Sequence, residues 1–172
     1  MIGERGRGGL ATKDTKNTKV GSRKKKKKRE REREREMGVG WTDKKFEPIP
    51  PEVDEASNRI IGAAIGVHKH LGPGLLESVY EKALVHELQL RGMTVHQQVP
   101  ISIPYKGMTI DGQRLDLMVE PGVIVELKAV DAHKSIHEAQ LISYLRSTGF
   151  RLGLLINFNE EVLKTGIRRV VC

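Results

Sequence analysis

The stretch RLDLMVEPGVIVELKAV, residues 114–130, decides the fold. Its apolar positions recur every second residue, the period of a strand. Residues 114–119 and 123–130 read as two strands, joined by Glu120, Pro121 and Gly122. Side chains alternate along a strand, so Val123, Val125, Leu127 and Ala129 share one face and belong to a core. The other face carries Ile124, Glu126, Lys128 and Val130, setting a carboxylate beside an ammonium between two β-branched residues. A tight turn at Pro121–Gly122 lays the first strand against the second. With a small bulge or bend, Asp116 and Glu126 converge on one point. Two carboxylates brought together repel unless a cation joins them. Hard oxygen donors of this kind suit Mg²⁺, with a metal-bound water beside Lys128 as a nucleophile for a phosphodiester. Taken alone, D-x9-E-x-K also fits a surface hairpin with an ordinary Glu–Lys pair.

Outward from these strands the period changes. Residues 55–71 read as a helix with Ile60, Ile61, Ala64, Val67 and Leu71 on one stripe, broken by Gly72, Pro73 and Gly74. A second helix covers about 75–90 and stops at Arg91–Gly92. Val95, Val99, Ile101 and Ile103 belong to strand-like segments, where Pro100 and Pro104 favour a sheet edge, and a hairpin is expected at Asp111–Gly112. A third helix spans roughly 133–148, stopped by Gly149; 151–158 is a strongly apolar, central strand, and 167–171 closes the chain. The order ααβββαββ predicts an α/β fold with a mixed sheet.

Two helices carry polar groups on apolar or cleft-facing stripes. Glu77 shares the stripe of Tyr80, Leu84 and Leu88; it is either a placed acid or an N-terminal Glu favoured by the helix dipole on a solvated edge. On the third helix His133, His137, Gln140 and Tyr144 fall within a narrow arc beside Ile136, Ala139, Ile142 and Leu145. That arc lines a cleft or is an exposed face. The His pair lacks a third ligand for zinc, and His68 and His70 read as structural or solvent-exposed.

The net charge of +8 sits in residues 1–36, which hold 15 Lys or Arg against 6 Asp or Glu; the rest holds 15 against 16. A high isoelectric point therefore says nothing about nucleic-acid binding by the domain itself. Residues 1–36 form a basic, low-complexity leader expected to be disordered, 37–54 a linker and 55–172 the domain. The run Lys24–Lys28 followed by Arg–Glu alternation to Glu36 has three readings. It is a solvated tail, a polybasic arm, or a translated polypurine tract upstream of a true start at Met37. The last predicts a natively expressed protein whose intact mass begins at Met37; a product beginning at Met1 rules it out. Cys172 is the only cysteine, the leader has no apolar core of a secretory signal, and no apolar run nears the ~18–20 residues of a membrane span. A cytoplasmic protein with no membrane partner is the expectation.

Gly74-Leu75-Leu76-Glu77-Ser78-Val79-Tyr80 resembles the motif of the GxxExxY proteins, a group placed in the PD-(D/E)XK nuclease superfamily. The resemblance runs from about Asn58 to Val171 and includes Leu71 to Gly74, Glu126 to Val130 and His137 to Leu141. It implies a restriction-endonuclease-like sheet flanked by helices and a metal-dependent nuclease acting on nucleic acid, DNA foremost. Asp116 and Glu126 match the metal carboxylates, Lys128 the lysine that serves the attacking water, and Glu77 an extra acidic ligand; the Leu127 carbonyl is a further ligand. Gln140 and Tyr144 match the QxxxY signature of RecB-like branches. Mg²⁺ is the implied cofactor, with Mn²⁺ as substitute. The alternative is an inactive binding or scaffold module of a repair or defence assembly, and a homo-oligomer is compatible with either. With a neutral domain, DNA contact is expected from a local patch of Lys106, Arg114, Lys134, Arg146 and Arg151, from the leader, or from a partner.

Overall fold

A computed structural model describes residues 48–132 and 134–172. The leader, most of the linker and His133 lie outside the described residues, and with them the expectation of disorder.

Helix α1 (Pro51–Leu71) opens on a proline, whose fixed φ suits a first helical position and whose missing N–H costs nothing there. It thus starts inside the segment read as linker. Helix α2 (Glu77–Leu90) follows, then strands β1 (Val95–Tyr105), β2 (Met108–Val119) and β3 (Val123–Lys128). Helix α3 (Ser135–Thr148) ends on a left-handed Gly149, and strands β4 (Leu152–Asn157) and β5 (Ile167–Val171) flank a short 3-10 turn at Leu163–Gly166. The element order is the expected one.

One sheet carries the strands in the order β1-β2-β3-β4-β5. Only the β3–β4 pair is parallel, so α3 serves as its crossover and runs back along the sheet from the end of β3 to the start of β4. Both faces are covered. The larger core joins Ile60, Ala64, Tyr80, Leu84 and Leu88 of the first two helices to Val123, Val125, Leu127, Leu154 and Ile156. The smaller core joins Leu141, Tyr144 and Leu145 of α3 to Leu115, Ile124 and Leu155. A side chain on Gly153 would collide with Leu141, its Cβ falling 2.7 Å from Leu141 Cδ1, so glycine lets α3 close on the sheet. The face of β3 that holds Glu126 and Lys128 is therefore not an outer surface but lies on the α3 side.

The β1–β2 hairpin corrects one expectation. Its turn is Lys106–Gly107, with φ of 44° and 86°, both left-handed as a two-residue turn between twisted strands requires. Asp111–Gly112 instead forms a bulge within β2: between Ile101 and Ile103 the partner strand advances from Gln113 to Ile110, one residue more, and Gly112 takes φ 109°. A lysine rarely accepts such a φ, so the sequence pointed to the glycine with an aspartate before it. Beyond Leu117 the backbone ladder with β3 ends, and β1 and β2 continue as a paired two-stranded ribbon. β1 and β5 form the two open edges of the sheet. No described helix is long and apolar enough to cross a membrane.

Candidate active site

The ladder between β2 and β3 pairs Val119 with Val123, Met118 with Ile124 and Leu117 with Val125, and then stops. Where the next rung would fall, side chains take over from the backbone. The Asp116 N–H points at Glu126 Oε1 across 3.4 Å, and Leu127 N–H donates to Asp116 Oδ2 at 2.8 Å. The two strands splay here, and two carboxylates occupy the opening. Lys128, one full alternation past Glu126 on the same face, brings its Nζ to 3.7 Å from Glu126 Oε2.

Glu126 is 2% exposed. Burial, then the charge of Asp116, push its carboxyl up to about 8, while Lys128 pulls the other way. Glu77, at the first position of α2, is half-buried and feels the same charges. Burial raises its pKa, Lys128 lowers it, Asp116 raises it again, and a hydrogen bond from the Ala129 backbone lowers it. Three acids and one lysine from α2, β2 and β3 thus share one electrostatic neighbourhood. Among the described residues no three His, Cys, Asp or Glu side chains are grouped as a ready-made metal cluster. Asp116 and Glu126 still fit a divalent ion: a buried carboxylate beside a second one, compensated by a single ammonium, is a donor set short of positive charge. Such an ion takes its remaining ligands from water and substrate phosphate.

Helix α2 is placed by its own tyrosine. Tyr80 is fully buried and stacked on Phe158 with ring centroids 4.5 Å apart. Its hydroxyl donates to the Gly72 carbonyl at 2.7 Å and accepts the Leu75 N–H at 3.1 Å. The Gly-Pro-Gly turn and the helix start are thereby tied together one turn from Glu77, which gives the spacing of Gly74, Glu77 and Tyr80 a mechanical reason.

Lys128 is held from the other side. Asn157, its partner in β4, is fully buried; its amide donates to the Val130 carbonyl at 2.7 Å and its Oδ1 accepts the Val130 N–H at 3.0 Å. Phe158 N–H adds a bond to the Lys128 carbonyl at 2.7 Å. These contacts pin the chain where β3 ends, two residues short of the expected Val130. Sequence reading passed over Asn157; a polar residue ending an otherwise apolar central strand was the available signal. His68, bonded through Nε2 to the Glu160 carbonyl at 2.8 Å, is a structural residue of the same corner, while His70 is exposed.

Gln140 and Tyr144 face the smaller core rather than the acids in the bonds they make. Gln140 Nε2 donates to the Tyr144 hydroxyl at 2.7 Å, which donates to Gln113 Oε1 at 2.9 Å. Gln113, unsuspected from sequence, thus fastens α3 to β2 three residues from Asp116. The basic residues do not form one patch. Lys106, Arg114 and Lys134 lie toward the end of the sheet where β3 finishes; Arg146 and Arg151, at the end of α3 and the start of β4, lie toward the opposite end.

A family model described as the PD-(D/E)XK nuclease superfamily matches residues 54–170. The chain belongs to that superfamily. No curated protein and no solved structure gives a match. The PD-(D/E)XK domain has the mixed five-stranded sheet, flanked by helices, of a restriction-endonuclease-like fold, and its function is of the nuclease type in general, with nucleic acid as partner.

Proposed function

We propose that this PD-(D/E)XK protein is a divalent-cation-dependent phosphodiesterase that cuts DNA, with Mg²⁺ as its ion and Mn²⁺ as a substitute. The observation that carries the reading is the break in the β2–β3 ladder, where Asp116, Glu126 and Lys128 converge. Its intact Gly74, Glu77 and Tyr80 spacing and its Gln140–Tyr144 pair support a GxxExxY-type, QxxxY-bearing member.

Asp116 and Glu126 would hold the ion, with Glu77 and the Leu127 carbonyl as further ligands; the bound ion would neutralise phosphate charge and acidify a water. In the hydrolysis a water oxygen bonds to phosphorus, the bond to one bridging sugar oxygen breaks, and that oxygen leaves with a proton. The Lys128 ammonium faces the site and steadies the charge gathering on the phosphoryl oxygens. Glu77, its pKa raised, accepts a hydrogen bond from the attacking water. Tyr144, Gln140 and Gln113 hold α3 against β2 so that the opening keeps its width. Among the proposed phosphate-binding residues, Arg114, Lys106 and Lys134 lie nearest this end of the sheet, and affinity is expected to fall with salt.

Labelled single-stranded, double-stranded and branched DNA and RNA, incubated with the protein and Mg²⁺, Mn²⁺ or EDTA, test the reading. Metal-dependent cutting of DNA is expected, reduced about 10²–10⁴-fold in Lys128→Ala. Absence of cutting by a folded protein that binds the ion would move the reading to a nucleic-acid-binding module.

A further inference from the structure

Two described residues other than glycine lie in the left-handed region, Lys106 and Gln98. Lys106 is explained by the hairpin turn. Gln98, with φ 49°, stands in the middle of β1, where nothing requires a turn. Such a conformation is disfavoured for a residue that carries a side chain and persists only when its surroundings hold it.

Its place in the register is informative. Gln97 pairs with Leu117 and Val99 with Leu115, while the rung between them, Gln98 opposite Asp116, is missing. Both strands change faces at this rung. Residues an even number apart should share a face. Yet Val95, Leu117 and Val119 pack in the core under α1 and α2, while Val99, Ile101 and Leu115 pack in the core under α3. The swivel falls between Gln97 and Val99 on one strand and between Leu115 and Leu117 on the other. Asp116 sits on the swivel, which turns its N–H toward Glu126 and its carboxylate onto the Leu127 N–H. The Gln98 side chain is anchored as well: Nε2 donates to both carboxylate oxygens of Glu81 at 3.1 Å. Glu81 lies one turn beyond Glu77 on α2.

We propose that Gln98 is a positioning residue for Asp116: its left-handed backbone breaks the β1–β2 rung opposite that acid, and its bond to Glu81 braces the break against the helix that carries Glu77. One strut thereby sets the separation of acids supplied by two different elements. The kinetic consequence rests on the nuclease reading; the structural consequence does not.

Leu127 N–H, which Asp116 accepts, reports the acid's placement in metal-free protein by amide exchange. Gln98→Val, whose β-branched side chain disfavours φ above zero, is expected to speed exchange at Leu127 roughly a hundredfold while central-strand amides such as Leu154 keep their protection. Gln98→Asn and Gln98→Gly, which tolerate the left-handed region, should keep most of the Leu127 protection. In cleavage assays Gln98→Val should lower kcat by about a hundredfold with KM within about twofold, and Gln98→Asn should restore most of it. Normal Leu127 protection in folded Gln98→Val, or equal damage from Val and Asn, would overturn the proposal. If Gln98→Val does not fold, Glu81→Ala decides: faster exchange at Leu127, roughly tenfold, supports the strut, and unchanged exchange removes it. A wild type that never cleaves would sink the nuclease reading while leaving the amide result to judge Gln98.

Discussion

Glu126→Gln is expected to stabilise the metal-free protein at alkaline pH and to abolish cleavage. The glutamine keeps the shape and an oxygen for the Asp116 N–H but carries no charge to bury. In the folded protein the Glu126 pKa lies at about 8, raised from 4.5 by burial and by Asp116. Between those values the folded chain holds a proton that the unfolded chain releases. The stability this group contributes is therefore complete below about 4.5 and is lost as pH rises through about 8. Thermal melts of wild type without divalent ion should fall across that window, and those of the variant should fall less. Each ~1 kcal/mol of difference appears as roughly 2–4 °C for a chain of this size. Adding Mg²⁺ should raise the wild-type melting temperature at pH 8 more than that of the variant, because the ion binds the carboxylate that ionisation exposes. Parallel pH curves for the two proteins would show that Glu126 ionises freely in the fold. Stability and chemistry thus pull against each other at one atom pair, as expected of a site arranged to hold a cation.

Tyr80 carries the second large effect. Tyr80→Ala empties a fully buried ring position against Phe158 and should cost about 3–5 kcal/mol, the usual range for removing a large buried ring. Tyr80→Phe is more instructive. It keeps the stack but leaves the Leu75 N–H and the Gly72 carbonyl without their hydroxyl partner, at about 1–3 kcal/mol. Because that hydroxyl fixes the start of α2, the phenylalanine variant should also lose about tenfold in kcat through a displaced Glu77, at temperatures where it is fully folded. Denaturant unfolding together with cleavage kinetics checks both halves. Full activity in a destabilised Tyr80→Phe would confine the tyrosine to packing.

Much of this architecture was legible because local signals agreed with the final packing. The switch from helical period in residues 55–90 to period two around 114–130 set the order of elements, and β3 kept its alternation, with Val123, Val125 and Leu127 in one core and Ile124 in the other. The acids were readable because D-x9-E-x-K across a tight turn leaves few registers. Residues that act through distant pairing were not. Gln98, Gln113 and Asn157 look like ordinary polar residues along the chain; their roles arise from Glu81, Tyr144 and Val130, each seventeen or more residues away. The sequence places Tyr80 on an apolar stripe and at the end of the Gly74–Tyr80 motif, but it does not show the hydroxyl's partners, which lie in a loop. The scattering of the basic residues was hidden for a related reason. Arg146 and Arg151 are near one another in sequence, but the crossover helix carries them away from the end of the sheet that holds Lys128.

The two open edges of the sheet have a consequence for the company this chain keeps. On β1, Pro100 and Pro104 have no N–H to offer, and on the far side β5 is only five residues long with Arg168 and Arg169 in it. A sixth strand finds a broken row of donors on one side and a short, charged row on the other. Sheet extension, the ordinary route to fibres and to strand-exchanged dimers, is closed at both margins. Among the described residues, the surfaces left for assembly are side chains on the helices and the ribbon, where specificity is written residue by residue instead of by the backbone.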